Sequence, residues 1–242
     1  MEKENKVEFK VSGRYALFTD PLTKIGGEKF SYQIPTYEAL KGIISSVYWK
    51  PTIVWMIDKV RVMKAIRTQT RSAKPVIYSG GKSFHSLSIY TYLSDVEYQV
   101  QAHFEWNLYR KDLEKDRNEN KHWCVARRMI ERGGRRDIFL GARECQGYVE
   151  PCKFGEEQGF YDTYGELSFG VMFHGFDYPD ELGKNEFHSR FWQAKMNNGV
   201  VKFPSPEACP YRKFIRPMTA RLVQTSGLVE AGLLEGCEEV SR

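Results

Sequence analysis

The 242-residue chain lacks the signals that would place a protein in or across a membrane. It contains no run of about 18 apolar residues, the length that a membrane-spanning helix needs. Residues 1–6 are mostly charged and no apolar segment follows them, so we expect no secretory signal. These absences predict a cytoplasmic protein without a membrane partner.

Signals for metal and nucleotide chemistry are also missing. The five cysteines form no C-x-x-C pair, and the five histidines show neither an H-E-x-x-H nor an H-x-x-E-H pattern. Cys145 and Cys152 lack a second ligand pair at zinc spacing, so we expect free thiols in a reducing compartment. Gly165 and Gly170 are not followed by the Lys-Ser/Thr of a P-loop, and no acidic pair has two-metal spacing. We therefore expect no metal and no cofactor.

The balance of basic and acidic residues changes along the chain. Residues 1–153 contain 27 Lys or Arg and 18 Asp or Glu, whereas residues 154–242 contain 9 and 13. A basic part beside an acidic remainder is typical of a protein that binds a polyanion. An ordinary solubilising surface is the alternative, and composition alone does not separate the two.

The segment 59–82 contains seven cationic residues and no acidic residue. In a strand, Lys59 and Arg61 lie on one face while Val60 and Val62 lie on the other. A cationic face suits the phosphates of a nucleic acid, although Lys and Arg also protect exposed edge strands from aggregation. From this segment we predict five nucleic-acid contacts: Lys59, Arg61, Lys64, Arg67 and Arg71.

A second cationic cluster begins near residue 127. Arginine binds phosphate through paired hydrogen bonds and stacks on bases, so we predict contacts from Arg127 and Arg128. Aromatic residues such as Trp49, Tyr90 and Trp123 are interleaved with the cations. Unpaired RNA bases stack on such rings, although most aromatic residues of any protein belong to its core. The combination favours RNA as the polyanion.

The first two-thirds of the chain alternate strand and helix patterns. Residues 6–17 alternate as a strand does, Thr36 is a good N-cap for a helix that Pro51 closes, and residues 52–66 are β-rich. Two more strands are predicted around a turn at residues 94–95. Residues 107–120 are then predicted to be a solvated linker or a frayed helix end, followed by a helix at 121–132 and a strand region at 138–154. This β-α-β-β-α-β order predicts an α+β fold, ferredoxin-like or RRM-like, with extra β-hairpin strands.

The last third has a different pattern. Residues 161–178 alternate aromatics and glycine, as two antiparallel strands would, and residues 186–196 form a candidate amphipathic helix. We predict two domains, a ferredoxin-like RNA-binding and catalytic domain at 1–155 and a small antiparallel β-rich domain at 156–242.

The pair Lys121-His122 is the sharpest candidate for catalysis. Both residues are predicted in the first turn of a helix, where free N–H groups and the helix dipole favour a phosphate. Histidine exchanges a proton near neutral pH, and lysine can neutralise charge that develops on phosphorus. Together they could promote attack of a ribose 2′-OH on the adjacent phosphate without a metal. A solvated surface histidine is the simpler alternative.

Several blocks of the chain resemble one known family. The N-terminal part of the chain resembles a signature of the fifth CRISPR-associated protein family, and more narrowly of its type I-C branch. The residues that carry this resemblance are SYQIPTYEA at 31–39, GII at 42–44 and VYWKP at 47–51. A second block of the family is similar to FLGAREC at 139–145. Its C-terminal part is similar to FWQA at 191–194 and GVV at 199–201.

This resemblance implies a ferredoxin-like fold and a metal-independent endoribonuclease. Such an enzyme cuts precursor CRISPR RNA at the base of each repeat hairpin, leaves a 5′-hydroxyl and a 2′,3′-cyclic phosphate, and stays on the 5′ handle within the surveillance complex. The resemblance also implies three catalytic residues, since Tyr48, Lys121 and His122 match the tyrosine and the Lys-His pair of type I-C members. The superfamily's glycine-rich C-terminal loop is represented only by Gly165 and Gly170.

Three functions remain open from the sequence. The first is the repeat-specific endoribonuclease, and the second is a non-catalytic RNA clamp within the complex, as in other branches of the family. A third is a contact surface for double-stranded DNA, because basic residues alone do not distinguish DNA from RNA.

Overall fold

A computed structural model describes residues 5–20, 28–74, 76–79, 82–85 and 87–220. Three α-helices lie within these ranges: α1 (Tyr37–Val47), α2 (Glu119–Glu131) and α3 (Pro179–Leu182). Short 3-10 helices occupy Lys111–Asp116 and Pro206–Ala208. None of the helices in the described ranges is long and apolar enough to cross a membrane.

Thirteen strands lie in the described part of the chain. They are β1 (Val7–Ala16), β2 (Lys29–Phe30), β3 (Ile53–Val62), β4 (Thr68–Ala73), β5 (Val76–Ser79), β6 (Lys82–His85), β7 (Ser88–Trp106), β8 (Ile138–Phe139), β9 (Gln146–Pro151), β10 (Glu166–Asp177), β11 (Glu186–Asn197), β12 (Val200–Lys202) and β13 (Tyr211–Pro217).

Eleven of these strands form one sheet. Its main path runs β10–β11–β12–β3–β7–β1–β9–β8, while β13 pairs with β11, and both β2 and β4 pair with β7. The β2–β7 pair is parallel, and the other named pairs, the separate β5–β6 hairpin included, are antiparallel. The predicted α+β class, with a mostly antiparallel sheet and few helices, is confirmed.

Helices α1 and α2 cover one face of the sheet. Phe9 on β1, together with Val100 and Phe104 on β7, is fully buried in the same core as the apolar side of α1. The N-cap of α1 is the predicted one, because the Thr36 hydroxyl accepts a hydrogen bond from the amide of Ala39 at 3.2 Å.

The opposite face of the sheet is partly covered by residues 153–164, which we call the strap. The strap is held by side chains of β1 and β7 that alternate with the core residues and therefore point to this opposite face. Glu8 accepts a hydrogen bond from the amide of Phe154 at 2.9 Å, and Gln99 accepts one from the amide of Gly155 at 2.9 Å. The amide of Phe160 donates to the carbonyl of Met63 at 2.8 Å. The strap is therefore fixed at both of its ends.

Three predicted elements differ from the structure. Residues 88–106 form one long strand in place of a hairpin, with Asp95 in a left-handed conformation at φ 53° where the turn was expected. Residues 186–197 are strand β11 and not a helix, since Trp192, Ala194 and Met196 are buried with a period of two. Residues 107–120, predicted as a solvated linker or a frayed helix end, contain a 3-10 helix at Lys111–Asp116 and the first residues of α2.

The predicted boundary at residue 155 stays a prediction. Strand β12, which follows the boundary, pairs with β3, which precedes it, through Val201 and Val60. The sheet therefore continues across the proposed junction.

Candidate active site

The C-terminal end of α1 positions the first predicted catalytic residue. Tyr48 is the C-cap of α1, and its backbone amide donates to the carbonyl of Ile44 at 2.9 Å. The indole N–H of Trp55 on β3 donates to the carbonyl of Tyr48 at 2.7 Å. These two bonds fix the backbone of Tyr48 and leave its side chain directed into the core, where it is 4% exposed.

The N-terminal turn of α2 brings the second and third residues to the same place. Asn118 is the N-cap and accepts a hydrogen bond from the amide of Lys121 at 3.0 Å. His122 lies in this turn on the buried side, against the rings of Phe104 and Trp106, whose centroids are 6.1 and 5.6 Å from its own. Lys121 lies on the exposed side.

Tyr48 and His122 share a hydrogen bond. The Tyr48 hydroxyl is 2.8 Å from Nδ1 of His122, and Nε2 of the same ring is 2.8 Å from the backbone carbonyl oxygen of Asp116. A carbonyl only accepts, so Nε2 carries a hydrogen, and in the neutral ring Nδ1 is then the acceptor. The tyrosine hydroxyl therefore donates to His122, which in turn donates to Asp116.

The carboxylate of Asp116 connects the remaining groups. It accepts from Nζ of Lys121 at 2.6 Å and from the hydroxyl of Thr52 at 2.6 Å, and it lies 3.5 Å from Nε2 of His122. Burial pushes the pKa of Asp116 upward, but the hydrogen bonds from Lys121 and Thr52 outweigh it and hold the pKa below its ordinary value. Asp116 is therefore ionised near neutral pH.

Burial also sets the protonation of the other two groups. It lowers the pKa of His122 below its ordinary value, although the carbonyl and carboxylate of Asp116 oppose the shift. It raises the pKa of Tyr48 above its usual range. Near neutral pH the site thus holds a neutral imidazole beside a protonated phenol, which is the pairing that a base needs in order to take a proton from an acid.

The geometry determines which groups a ligand can meet. Both ring nitrogens of His122 are occupied and the side chain is fully buried. Lys121 is exposed and gives one of its three ammonium hydrogens to Asp116. A proton can therefore pass from Tyr48 to His122, while Lys121 offers positive charge at the surface.

The predicted nucleic-acid contacts are spread over several surfaces. Arg67, Arg127 and Arg128 are exposed, and Arg127 lies over the ring of Trp123 at 4.7 Å. Exposed Arg71 donates to the hydroxyl of Tyr15. Two predicted lysines have partners within the chain: Lys59 lies 4.3 Å from the centre of the Phe154 ring, and Lys64 is 2.8 Å from the Asp95 carboxylate. The structure thus brings the three predicted catalytic residues together but not these cations.

Arg61 does not fit its predicted role. It faces away from Val60, as expected, but the strap covers that face. Its guanidinium donates to both carboxylate oxygens of Asp162 at 2.8 and 2.7 Å and to the carbonyls of Glu156 and Glu157 at 3.1 and 3.0 Å. With 6% exposure, Arg61 fastens the strap to the sheet and is not an open phosphate contact.

Metal ligands are not grouped in the described ranges. No cluster of three His, Cys, Asp or Glu that could hold an ion is found there. Of the described cysteines, Cys145, Cys152 and Cys209 are free thiols, and Cys237 lies outside the described residues.

Sequence reasoning did not identify Asp116 or Thr52. As a solvated linker or a frayed helix end, the polar run at 107–120 carries no prediction for its carboxylates. The available signal was Asn118-Glu119, a good N-cap followed by an acidic first-turn residue. That signal starts α2 at 119 and leaves Asp116 next to the predicted Lys-His pair.

Comparison with known proteins supplies the family. The family model described as "CRISPR-associated protein (Cas_Cas5)" matches residues 7–204, which is most of the chain. The chain belongs to the Cas5 family. The resemblance stated from the sequence is thereby confirmed, and the Cas5d designation of the model is consistent with the type I-C branch.

Three similar proteins illustrate the family. A solved structure titled "Crystal Structure of CRISPR-associated Protein" is 36% identical, with 86% of this chain and 96% of that chain covered and a TM-score of 0.72. The "CRISPR pre-crRNA endoribonuclease Cas5d" of Mannheimia succiniciproducens is 26% identical over 227 residues, which cover 83% of this chain and 95% of the relative. The protein of the same name from Thermus thermophilus is 26% identical over 224 residues, or 83% and 92%.

Proposed function

We propose that this Cas5 family member is an endoribonuclease that cleaves precursor CRISPR RNA within the repeat. Two relatives named for this activity support the proposal. The observation that carries it is the buried hydrogen bond between Tyr48 and His122, with Lys121 at the surface beside it. Tyr48 and His122 are 74 positions apart in the chain, and the hydrogen bond between them is a direct route for a proton.

The proposed reaction is attack of a ribose 2′-OH on the adjacent phosphorus, without a metal. The Tyr48 oxygen takes the 2′-OH proton while its own proton moves to Nδ1 of His122. The 2′-oxygen forms a bond to phosphorus as the bond to the 5′-oxygen breaks. That 5′-oxygen takes up a proton from solvent water, and His122 afterwards returns its extra proton to the solvent through Tyr48, so that the products are a 2′,3′-cyclic phosphate and a 5′-hydroxyl. His122 acts through Tyr48 because its own side chain is fully buried, whereas Tyr48, to which its Nδ1 is bonded, keeps 4% exposure.

Lys121 has an electrostatic role in this proposal. The transition state carries extra negative charge on the non-bridging oxygens of phosphorus. Two of the three ammonium hydrogens of Lys121 are left to bind those oxygens while the third stays on Asp116. Asp116 thus orients both members of the Lys-His pair.

The RNA-binding surface and the fold follow the same proposal. We propose that RNA phosphates are bound by six cationic residues: Lys59, Lys64, Arg67, Arg71, Arg127 and Arg128.

We also propose that the N-terminal part of the chain is ferredoxin-like. The strand order β9–β1–β7–β3, with α1 between β1 and β3 and α2 between β7 and β9, supports that assignment.

The proposed partners are the repeat hairpin of precursor CRISPR RNA and the other subunits of the type I-C surveillance complex. The protein is proposed to remain on the 5′ handle after the cut. The second candidate function is a non-catalytic clamp, which the full burial of His122 favours. Contact with double-stranded DNA is a further possibility for the exposed arginines, since phosphates are common to both nucleic acids.

The test is cleavage of the cognate repeat RNA in excess chelator. We expect wild-type protein to yield the cyclic phosphate and the 5′-hydroxyl, and His122→Ala to be slower by a factor of about 10²–10⁴. His188→Ala, on distant β11, is the matched control and should cut normally. One 2′-deoxy nucleotide at the cut site should stop the reaction. Cleavage of that deoxy substrate would overturn the 2′-OH mechanism, and tight binding without any cleavage would favour the clamp.

A further inference from the structure

An open groove of about 560 Å³ lies between the strap and the end of β3. Residues 158–160 of the strap form one wall, and residues 63–67, which follow β3, form the other. Its volume falls within the roughly 300–1,000 Å³ of ordinary ligand sites. Neither the three predicted catalytic residues nor any residue that contacts them lines this groove.

The strap wall of the groove is held in place before any ligand binds. Arg61 fastens the C-terminal end of the strap through Asp162, and the Asp162 carboxylate also accepts from the amide of Gly159 at 2.8 Å. The hydroxyl of Tyr161 accepts from the amide of Ile66 at 2.9 Å, which ties the strap to the opposite wall. A pre-formed wall reduces the ordering cost of binding.

Phe160 presents an aromatic ring at the edge of the groove. The side chain is 60% exposed, although its backbone is hydrogen bonded to the sheet. Its ring meets Tyr161 edge-on at 4.9 Å, so one face is not covered by that neighbour. An exposed ring on a fixed backbone is the platform on which an unpaired base stacks.

Arg67 supplies a charged group beside that ring. It is exposed, and no carboxylate in the described ranges lies within ion-pair distance of it. The one acidic residue of the lining, Asp95, is neutralised by Lys64 at 2.8 Å. The surplus charge in the groove is therefore positive and belongs to Arg67, whose guanidinium can bind a phosphate through two hydrogen bonds.

We propose that this groove binds one unpaired nucleotide of the bound RNA, with the base stacked on Phe160 and a phosphate held by Arg67. This inference rests on the proposed function for the identity of the nucleic acid. The groove lies at the opposite end of β3 from Thr52, and ten strand residues span roughly 30 Å. The subsite therefore holds RNA away from the cut, and its contacts contribute to binding in the ground and transition states alike.

The experiment measures binding of a labelled single-stranded uridine oligomer and of the repeat RNA to the full chain. Phe160→Ala should weaken binding of both RNAs roughly tenfold, because it removes the ring on which the base stacks. Arg67→Ala should weaken binding by a similar factor, because it removes the two hydrogen bonds to the phosphate. Phe160→Trp should retain binding. Tyr164→Ala is the matched control, since Tyr164 is also 60% exposed on the strap but does not line the groove.

Kinetics separate this subsite from the catalytic proposal. In the cleavage assay, Phe160→Ala should raise KM and leave kcat unchanged. If the protein binds RNA without cutting it and Phe160→Ala still weakens binding, the subsite stands and the nuclease assignment fails. If the protein cuts and Phe160→Ala binds as tightly as Tyr164→Ala, the subsite is wrong and the nuclease assignment stands. A peptide partner for the groove would give that second result.

Discussion

At the Tyr48–His122 pair, burial and hydrogen bonding shift the pKa of His122 in opposite directions. Burial disfavours the imidazolium and lowers the pKa of His122, whereas Asp116 stabilises the imidazolium and raises it. Because burial dominates, the ring is neutral near pH 7 and is available as a base. Asp116 thus limits the fall of the pKa and holds the tautomer in which Nδ1 faces the tyrosine.

Replacing the Asp116 carboxylate tests this balance. In Asp116→Asn the backbone carbonyl remains and keeps the tautomer, but the negative charge 3.5 Å from Nε2 is lost. The pKa of His122 should then fall further, and the acidic limb of the pH–kcat profile should move to lower pH by about one unit. We also expect kcat at neutral pH to fall roughly tenfold, because Lys121 loses its partner. The measurement is the cleavage rate from pH 4 to pH 8.

Thr52→Val is the matched control for that experiment. It removes one hydrogen bond to Asp116 but leaves the charge in place, so its acidic limb should stay near that of the wild type. An acidic limb that moves to higher pH in Asp116→Asn would contradict the assigned role of the carboxylate.

At the scale of elements, the turn at residues 139–145 depends on a single glycine. Gly141 has a φ of 88°, and a Cβ there would overlap the carbonyl oxygen of Leu17. The neighbouring amide of Leu17 donates to the carbonyl of Leu140 at 2.9 Å, so the two segments cannot separate without losing this bond. The glycine is required both by its backbone angle and by this close approach.

Gly141→Ala is therefore expected to lower the free energy of unfolding by about 3 kcal/mol or more. The control is Gly165→Ala, which has a similar φ of 84° but no atom within 4 Å of the added Cβ. That variant should lose only about 1–2 kcal/mol, the cost of the backbone conformation alone. Urea unfolding of both variants gives the comparison, and equal losses would show that the contact with Leu17 does not matter.

The elements also show what the sequence could predict. Helix α1 and strand β1 follow from a cap and a local alternation. Both bounds of β1 are predicted within one residue, and α1 ends at Val47, three residues before the predicted end ahead of Pro51. Strand β11 was missed because Phe187, Phe191 and Trp192 fit a helical spacing as well, and only pairing with β10 selects the strand. Local patterns decide an element when they are unambiguous, and sheet pairing decides the rest.

The candidate site was likewise predictable in part from the sequence. Tyr48, Lys121 and His122 came from a resemblance to a family and from residue chemistry. The bond between Thr52 and Asp116 and the covering of Arg61 depend on contacts between residues 64 to 101 positions apart, which spacing along the chain does not encode. Phe160 had no signal in the sequence, because its exposure results from how the strap crosses the sheet.

For the whole molecule, the open question is whether residues 1–155 and 156–242 fold separately. Several contacts cross that boundary. The rings of Tyr37 on α1 and His174 on β10 are stacked at 4.1 Å, and Lys41 binds the Glu181 carboxylate. The strap adds the buried Arg61–Asp162 pair. Unfolding either part alone would expose an unpaired charge and an apolar surface of the other part.

We therefore predict one cooperative unfolding transition in urea, and the five tryptophans allow a sharp test. Trp192 is the one tryptophan after residue 155, so the fluorescence of Trp192→Phe reports only on residues 1–155, whereas far-UV circular dichroism reports on the whole chain. The two probes should give the same midpoint in this variant, because β12–β3 pairing and the strap couple the parts. Two separated midpoints would contradict this coupling and would support two independently folding domains.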